Sequence, residues 1–149
     1  MQDLLNKEPV KRVIKKLKEY DEKLEVIVLD NSARTAQDAA NTLNTEIGSI
    51  IKSLFLRTKN SFLLCLVAGD KRCSLNKVKK ILNEKDVSMA KADQVKEITG
   101  FTIGGVSPVG HLNKTDIFID QSLKRFENVF AAAGHPYSIF KINFVNLCK

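Results

Sequence analysis

Two apolar segments lie close together in the middle of the chain, at residues 49–57 and 61–68, and only the polar stretch "TKN" separates them. Both segments are short, and both are rich in aliphatic and aromatic residues, which favours strands. Two strands joined by so short a connection are expected to pair with each other as a hairpin. Any fold proposed for this chain must therefore contain an antiparallel pair near its centre.

The first of these strands carries a lysine in its apolar middle. Side chains alternate between the two faces of a strand, so Lys52 shares its face with Ile50 and Leu54 rather than with polar residues. An unpaired ammonium is costly to bury. Either Lys52 lies near a sheet edge and extends its ammonium into water, or it reaches into a pocket that holds an anionic ligand. The strand alone favours the first explanation and leaves the second open.

Helices and strands of unequal length are predicted around this hairpin, with no internal repeat and no linker. Thr35 and Ser74 are expected to cap two of the helices, and Gly100 to end another. The inward face of the helix after Ser74 is expected to carry Leu75, Val78, Ile81 and Leu82. Helices are predicted at residues 8–20, 34–43, 73–86 and 92–100, and further strands at 23–30, 115–120, 128–134 and 137–142, whereas the tail 143–149 fits neither pattern.

These elements do not alternate regularly enough for a βαβ series. The expected fold class is therefore mixed α/β (α+β), with a curved, barrel-like mixed sheet surrounded by helices. The chain has 149 residues, of which 44% are hydrophobic and 28% charged. This is enough for one core of ordinary size, and we expect a single domain over residues 1–149.

Several classes of protein are not indicated. The chain has no apolar run long enough to span a membrane and no segment of the secretory-leader type, so a cytoplasmic protein without membrane contact is expected. Its three cysteines form no C-x-x-C pair, and its two histidines lack the spacing of helix-borne ligands. A metal site is therefore not predicted.

The charge is basic and unevenly distributed. Lysine and arginine number 24 against 17 acidic residues, which gives a net charge of +7. One cluster lies on the predicted first helix, and another lies between residues 71 and 85, where Glu84 is the acid among Lys71, Arg72, Lys77, Lys79, Lys80 and Lys85. Such clusters attract polyanions, but they also occur as solvated helix faces. Both explanations remain open at this stage.

The stretch "GFTIGGVSPVGH", residues 100–111, is unusually rich in glycine and contains one proline. Glycines allow a backbone to approach a ligand closely. The consecutive amides of Gly105, Val106 and Ser107 can form a nest for an anion or a developing oxyanion, and Pro108 would fix the end of the loop. A plain connecting turn is the alternative, and this loop alone favours it.

Taken together, the strand lysine in "IIKSLFL", the upstream "ARTAQDAA", and the downstream "TGFTIGGVSPVGH" and "VFAAAGHPYSIFKI" resemble the YbaK family of aminoacyl-tRNA editing domains, also called prolyl-tRNA synthetase-associated domains. The resemblance extends from about residue 10 to residue 141. Its most specific parts are the lysine and the G-x-x-x-P loop from Gly104 to Pro108.

This resemblance implies a trans-editing deacylase that hydrolyses the ester of a mischarged tRNA without a metal or other cofactor. The expected substrate is tRNA(Pro) carrying cysteine or alanine, and the implied partners are the acceptor end of the aminoacyl-tRNA and a synthetase such as prolyl-tRNA synthetase. Catalytic roles fall on Lys52, Gly104 and Gly105. Substrate contacts are expected from Thr35, Ser53, Val106, Ser107, Pro108, Gly134 and His135, and contacts with the tRNA backbone from Lys71, Arg72, Lys77 and Lys80.

One position departs from the cysteine-specific branch of the family. That branch has an acidic residue on the last strand in a G-x-x-x-x-D-I pattern, whereas this chain has Ile139 there. The amino acid is therefore left undecided. Two other functions also remain: a non-catalytic module of the same fold that binds tRNA or a synthetase, and a regulatory domain that binds a small metabolite.

Overall fold

The computed structural model describes residues 4–29 and 35–148. Its first long helix, α1, spans Glu8–Tyr20, with Pro9 in the first turn, where a missing amide hydrogen is tolerated. Val10, Val13 and Leu17 form its buried stripe. The helix predicted at residues 8–20 is therefore confirmed.

The remaining helices are short, and several begin and end as the sequence predicts. Thr35 and Ser74 accept hydrogen bonds from amides three residues further on, and Gly100 ends a helix with a φ of 81°. The tail, for which no prediction was possible, forms one short helical turn. These helices are α2 (Ala36–Leu43), α3 (Leu75–Leu82), α4 (Ala92–Thr99) and α5 (Phe144–Leu147).

Seven strands form within the described residues. They are β1 (Val26–Val28), β2 (Ile51–Arg57), β3 (Phe62–Ala68), β4 (Ser88–Met89), β5 (Asp116–Ile119), β6 (Asn128–His135) and β7 (Ser138–Asn143). Strands β2 and β3 pair antiparallel along their whole length, which confirms the central hairpin. The two-residue strand β4 has no counterpart in the prediction, because so short a segment carries no periodic signal.

The strands assemble into two sheets. One has the order β1-β7-β6 and is antiparallel, and the other has the order β4-β2-β3-β5 and is mixed, since β5 runs parallel to β3. Between the sheets, one isolated parallel bridge joins Ile50 to Phe130. The mixed α/β class is thus correct, while the hydrogen bonds among the described residues do not close a barrel, so closure of the sheet stays a prediction.

One edge of β2 is only partly covered. Strand β4 pairs with Leu56 and Arg57, near the end of β2, and the amide of Ala90 donates to the carbonyl of Phe55. Before that point, β2 has no further strand on this side within the described ranges. The first half of β2 therefore faces β6 across an open seam.

Two apolar clusters pack against the two faces of the β2–β3 hairpin. Ile51 and Phe55 belong to the main core between the sheets, whereas Leu56 packs into a second cluster beneath α3. The expectation for α3 is wrong at Ile81, a residue that is 69% exposed. The helical period correctly marks an apolar stripe, but it does not show how far neighbouring elements cover that stripe.

No helix in residues 4–29 or 35–148 is long and apolar enough to cross a membrane.

Candidate functional site

A cavity of about 300 Å³ opens along the seam between the two sheets. Its walls come from the first half of β2, the beginning of α2, the loop after α4, and the β6–β7 hairpin. Its volume is in the range of small-molecule sites, and its lining is mostly apolar. Elements that are distant in sequence thus share one concave surface.

Lys52 lies in the lining of this cavity. In register it stands opposite Val67 of β3, on the face that packs beneath α3. Its side chain is partly buried, and its ammonium donates a hydrogen bond to the carbonyl oxygen of Lys71, in the turn after β3. Within the described residues it makes no hydrogen bond to the glycine-rich loop. Lys52 therefore lies at a sheet edge and at a pocket, which were the two alternatives that the sequence left open.

Ser53 is the next residue along β2. Because side chains alternate between the faces of a strand, Ser53 lies on the face opposite Lys52 and shares the face of Ile51, which points toward the main core. It lines the same cavity. The cavity runs along the edge of β2, so residues from both faces of this strand border it. Lys52 and Ser53 can therefore both line the cavity without a twist or bulge in the strand. The Oγ atom of Ser53 is buried, and it has no hydrogen-bond partner among the residues that the structure describes. Such a hydroxyl is costly to keep unsatisfied.

The glycine-rich loop forms the opposite wall. Gly104 and Val106 both line the cavity, and Gly104 has a φ of 95°, a conformation that favours glycine. Among residues 4–29 and 35–148, no group accepts a hydrogen bond from the amide of either residue. Two residues of the cavity lining therefore have amides that are uncommitted within the described part of the chain.

The structure changes the expectation for Gly105. Its amide donates to the carbonyl of Thr102 at 3.0 Å, so this N–H is already used within the loop. Its own carbonyl accepts from the amide of Gly134 at 3.0 Å. Neither Gly105 nor Gly134 lines the cavity; the two residues instead join the loop to β6. The nest predicted from Gly105, Val106 and Ser107 is therefore wrong at its first member.

Ser107 and Pro108 are buried behind the cavity wall and do not line it. The Oγ atom of Ser107 accepts from the amide of Val109 at 3.1 Å, and its carbonyl accepts from Nε2–H of His111. Burial lowers the pKa of His111, as does nearby Arg12, although the hydrogen bond to Ser107 opposes this shift. His111 thus supports the loop as a neutral imidazole.

The β6–β7 hairpin supplies the end of the cavity near His135. Nδ1 of His135 accepts from the amide of Tyr137 at 3.0 Å, and the imidazole ring meets the Tyr137 ring edge-on. Ser138 is fully buried, and its hydroxyl bonds to the carbonyls of Ala133 and His135. Thr35 also lines the cavity while capping α2, as predicted.

Several residues of the lining were not singled out in the sequence. Ala131 and Ala132 line the cavity from β6, and Ile103 contributes from the loop. Ile103 is 62% exposed, so it stands at the rim. Small apolar residues of a strand carry no functional signal of their own. Ile139, which lines the cavity from β7, was singled out in the sequence as the position at which the chain departs from the cysteine-specific branch.

The basic cluster borders a second groove, of about 410 Å³. Lys71, Arg72 and Lys77 line it, whereas Lys80 does not. Asp120 is its acidic member, and burial opposes ionisation of this carboxyl. Hydrogen bonds from Ser122 and from the amide of Ala68 outweigh that effect and lower the pKa of Asp120. The Asp120 carboxylate is therefore occupied by its own neighbours, and the bases remain available to an anion.

Comparison with known proteins gives a consistent result. The profile of the family described as "Aminoacyl-tRNA editing domain" matches residues 30–149. A proline–tRNA ligase of Thermosipho africanus is 33% identical over 93% of this chain, which spans only 24% of the ligase. The uncharacterised protein YwhH of Bacillus subtilis is 31% identical over 83% of this chain and 79% of its own length. A crystal structure described as that of a candidate trans-editing enzyme for prolyl-tRNA synthetase superposes with a TM-score of 0.88 and 34% identity, covering 95% of this chain and 90% of the other.

Proposed function

Because this chain belongs to the aminoacyl-tRNA editing domain family, we propose that it hydrolyses the ester bond of a mischarged aminoacyl-tRNA. The reaction would occur in trans, on tRNA released from a synthetase, in the cytoplasm. Residues 1–149 would act as one domain. The resemblance to a candidate trans-editing enzyme over nearly the whole of both chains supports this form of the activity.

A single observation carries the proposal. Lys52 on β2 and the pair Gly104 and Val106 in the loop line one cavity, although a large part of the chain separates them. A cation and uncommitted backbone donors at one concave, mostly apolar site suit a substrate that is anionic at one end and develops negative charge at an ester.

The proposed ester hydrolysis requires few catalytic side chains. The oxygen of a water molecule adds to the ester carbonyl carbon, and the carbonyl oxygen becomes an oxyanion. The amides of Gly104 and Val106 stabilise this oxyanion, a role in which one donor typically contributes about 2.7–4 kcal/mol. The carbon–oxygen bond to the ribose then breaks, and the ribose oxygen leaves with the proton that the attacking water has given up. Neither His111 nor His135 needs to serve as the base of a protein nucleophile in this scheme.

Lys52 would bind the terminal phosphate or the ester region of the tRNA. Its ammonium now bonds to the carbonyl of Lys71, an exposed turn residue. The flexible four-carbon stem of lysine lets the ammonium exchange that neutral acceptor for a charged one, and a charge-assisted bond is the stronger of the two. The hydroxyl of Ser53, buried and unpaired among the described residues, would gain its first partner from the substrate.

The lining of the cavity suits a substrate that carries a small amino acid. None of the described residues that line it is acidic, and its β6–β7 wall is apolar. Alanine and cysteine on tRNA(Pro) are the proposed substrates. Because Ile139 stands in the lining where the cysteine-specific branch has an acid, alanine is the better fit of the two. Lys71, Arg72 and Lys77 would contact the tRNA backbone from the neighbouring groove, with Lys80 on its exposed flank.

The test is a deacylation panel on the purified protein with labelled Ala-, Cys- and Ser-tRNA(Pro), and with Pro-tRNA(Pro) as the cognate control. Release from at least one mischarged tRNA and not from Pro-tRNA(Pro) is expected. Lys52→Ala should lower kcat/KM by about 100-fold, the scale at which lost positioning and charge act in such sites. Lys59→Ala, an exposed lysine at the turn of the same hairpin, is the matched control and should keep the full rate.

Binding of tRNA without release of any amino acid would instead indicate a non-catalytic module. Absence of both binding and release would leave a small metabolite as the ligand of the cavity. Either result would overturn the proposed hydrolysis.

A further inference from the structure

Arg12, on the inner side of α1, contacts both ends of the glycine-rich loop. Its Nε–H donates to the carbonyl of Gly110 at 3.0 Å, and one of its Nη–H groups donates to the carbonyl of Gly100 at 3.0 Å. A longer bond of 3.5 Å reaches the carbonyl of Thr99. One guanidinium thus connects the residue that begins the loop to a residue next to its end.

The guanidinium is held in this place by further contacts. It lies over the ring of Phe101, 5.0 Å from the centroid, and pairs with the exposed carboxylate of Glu8 at 3.6 Å. The Phe101 ring is buried and meets the ring of His111 edge-on, and His111 in turn bonds to the carbonyl of Ser107. The Arg12 side chain is 18% exposed. These contacts extend from the helix to the part of the loop that adjoins Val106.

The backbone of α1 also lies directly against the site. A Cβ added to Gly110 would stand 3.1 Å from the main chain of Arg12, and one added to Gly134 would stand 2.8 Å from that of Pro9. The helix therefore touches both the loop and the bend of β6 to which the loop is joined. A shift of α1 would move both together.

We infer that Arg12 is a positioning residue, which holds the loop so that the amides of Gly104 and Val106 meet the oxyanion of the ester. This inference rests on the proposed function. Arg12 does not line the cavity and touches no substrate there. It acts through the loop, so its role differs from that of the solvent-exposed bases of α1.

The shape of the guanidinium explains why arginine is needed. It offers five N–H donors in a rigid planar fork, and it stays charged at every relevant pH. Carbonyls at the two ends of the loop can therefore be bonded at once while the face of the group covers Phe101. Lysine carries the same charge but places it at one point, and it cannot reproduce this arrangement.

The loop would remain attached without Arg12. Backbone bonds close its base: Leu112 donates to Thr99 at 3.0 Å, and Asn113 donates to Ile98 at 3.1 Å. Loss of the guanidinium should therefore loosen the loop rather than unfold the protein. A displacement on the order of 1 Å at a catalytic group can lower a rate by about 100-fold.

The experiment compares Arg12→Lys and Arg12→Gln with Lys11→Gln, an exposed neighbour on α1 that serves as the charge control. Both Arg12 variants should lower kcat by at least about 10-fold while KM for the mischarged tRNA stays within about threefold, because the donors and not the binding surface are disturbed. Lys11→Gln should leave kcat unchanged. Assays are run well below the melting temperature of each variant.

A second measurement does not depend on activity. Amide hydrogen exchange at residues 104–107 should become faster in Arg12→Lys and Arg12→Gln but not in Lys11→Gln. The inference is overturned if Arg12→Lys keeps the wild-type kcat, or if exchange in the loop is unchanged. If the wild-type protein releases no amino acid, the proposed function fails, while the exchange experiment still tests whether Arg12 holds the loop.

Discussion

The amide of Gly134 donates to the carbonyl of Gly105 across 3.0 Å, and this bond joins the glycine-rich loop to the bend of β6. The two glycines leave almost no space between the segments. A Cβ on Gly105 would stand 2.8 Å from the amide nitrogen of His135, which is shorter than Cβ atoms normally approach backbone. The width of the cavity is therefore set in part by the absence of a side chain at Gly105.

Gly105→Ala is accordingly expected to lower the free energy of unfolding by about 1–3 kcal/mol, the usual effect of forcing a group into a packed region. It should also reduce deacylation, because the loop must move away from β6. Chemical denaturation and the deacylation assay measure the two effects. Gly48→Ala is the control, since its added Cβ first meets the tip of the Phe126 ring rather than backbone. An equal loss of stability in both variants would contradict this account of Gly105.

Ser53→Ala should stabilise the protein while slowing the reaction. The Ser53 hydroxyl is buried without a partner among the described residues, and removing such a group relieves a penalty of about 1 kcal/mol or more. Ser138→Ala is the matched control, because that hydroxyl bonds to two carbonyls at 3.2 Å, and its removal should destabilise. Urea denaturation of the two variants gives the comparison. A loss of stability in Ser53→Ala would show that its hydroxyl is satisfied in the folded protein.

His111 should make stability depend on pH. Its pKa in the folded protein is below the ordinary value of 6.5, because burial disfavours the cation and Arg12 repels it, against the opposing hydrogen bond to Ser107. Lys16 and Lys114 line a surface groove together with His111, and they add no negative charge that would stabilise the imidazolium. The unfolded chain therefore takes up the proton first. The contribution of His111 is complete above about pH 6.5 and is lost as pH falls through the lower, folded-state pKa, with a slope of up to about 1.4 kcal/mol per pH unit.

Urea denaturation between pH 5 and pH 8 tests this dependence. His111→Gln should remove the slope, whereas His135→Gln should retain it. A slope that persists in His111→Gln would assign it to another group.

The three cysteines should react with iodoacetamide in a fixed order. Burial, followed by the neighbouring Cys73, raises the pKa of Cys65 to about 12, so almost no thiolate forms there at pH 8. Cys148 is exposed and Cys73 is partly buried. Mass spectrometry of a time course should show Cys148 modified first and Cys65 last. Early modification of Cys65 in folded protein would mean that β3 is not buried as described.

Salt should weaken tRNA binding through the basic groove. Arg72→Gln and Lys77→Gln together should raise KM and make the slope of log KM against log salt less steep by about one to two, since each lost phosphate contact removes roughly one released counterion. Binding titrations at several salt concentrations measure the slope. Lys124→Gln, an exposed base outside the groove, is the control. An unchanged slope in the double variant would exclude the groove as the RNA contact.

Much of the fold could be predicted from local patterns. The hairpin of β2 and β3 follows from two apolar runs and a short turn, and the caps at Thr35 and Ser74 follow from hydroxyl chemistry at a helix start. The division into two sheets could not be predicted, because β5 pairs parallel with β3 and the pattern of a strand does not identify its partner. The exposure of Ile81 could not be predicted either, because the period of a helix does not show which neighbouring elements cover its apolar stripe.

Part of the candidate site could be predicted from the sequence. Lys52 attracts attention as a charge in an apolar strand, and Gly104 as part of a loop that is unusually rich in glycine. The other features of the site depend on hydrogen bonds between residues that are distant in the sequence or within the loop. Nothing in the sequence shows that the Gly105 amide is bonded within its own loop, or that Arg12, one base among several on α1, reaches the carbonyls of Gly100 and Gly110.

The open seam beside β2 has a consequence for how such a domain can diversify. Lys52 and the glycine-rich loop line the cavity from opposite sides, whereas Ala131 and Ile139 line it from the sheet formed by β1, β7 and β6. Exchanges among the small apolar residues of that second sheet can reshape the space for an amino acid side chain without disturbing the groups that would act on the ester. Selectivity and chemistry could then drift apart over generations, each under its own selection.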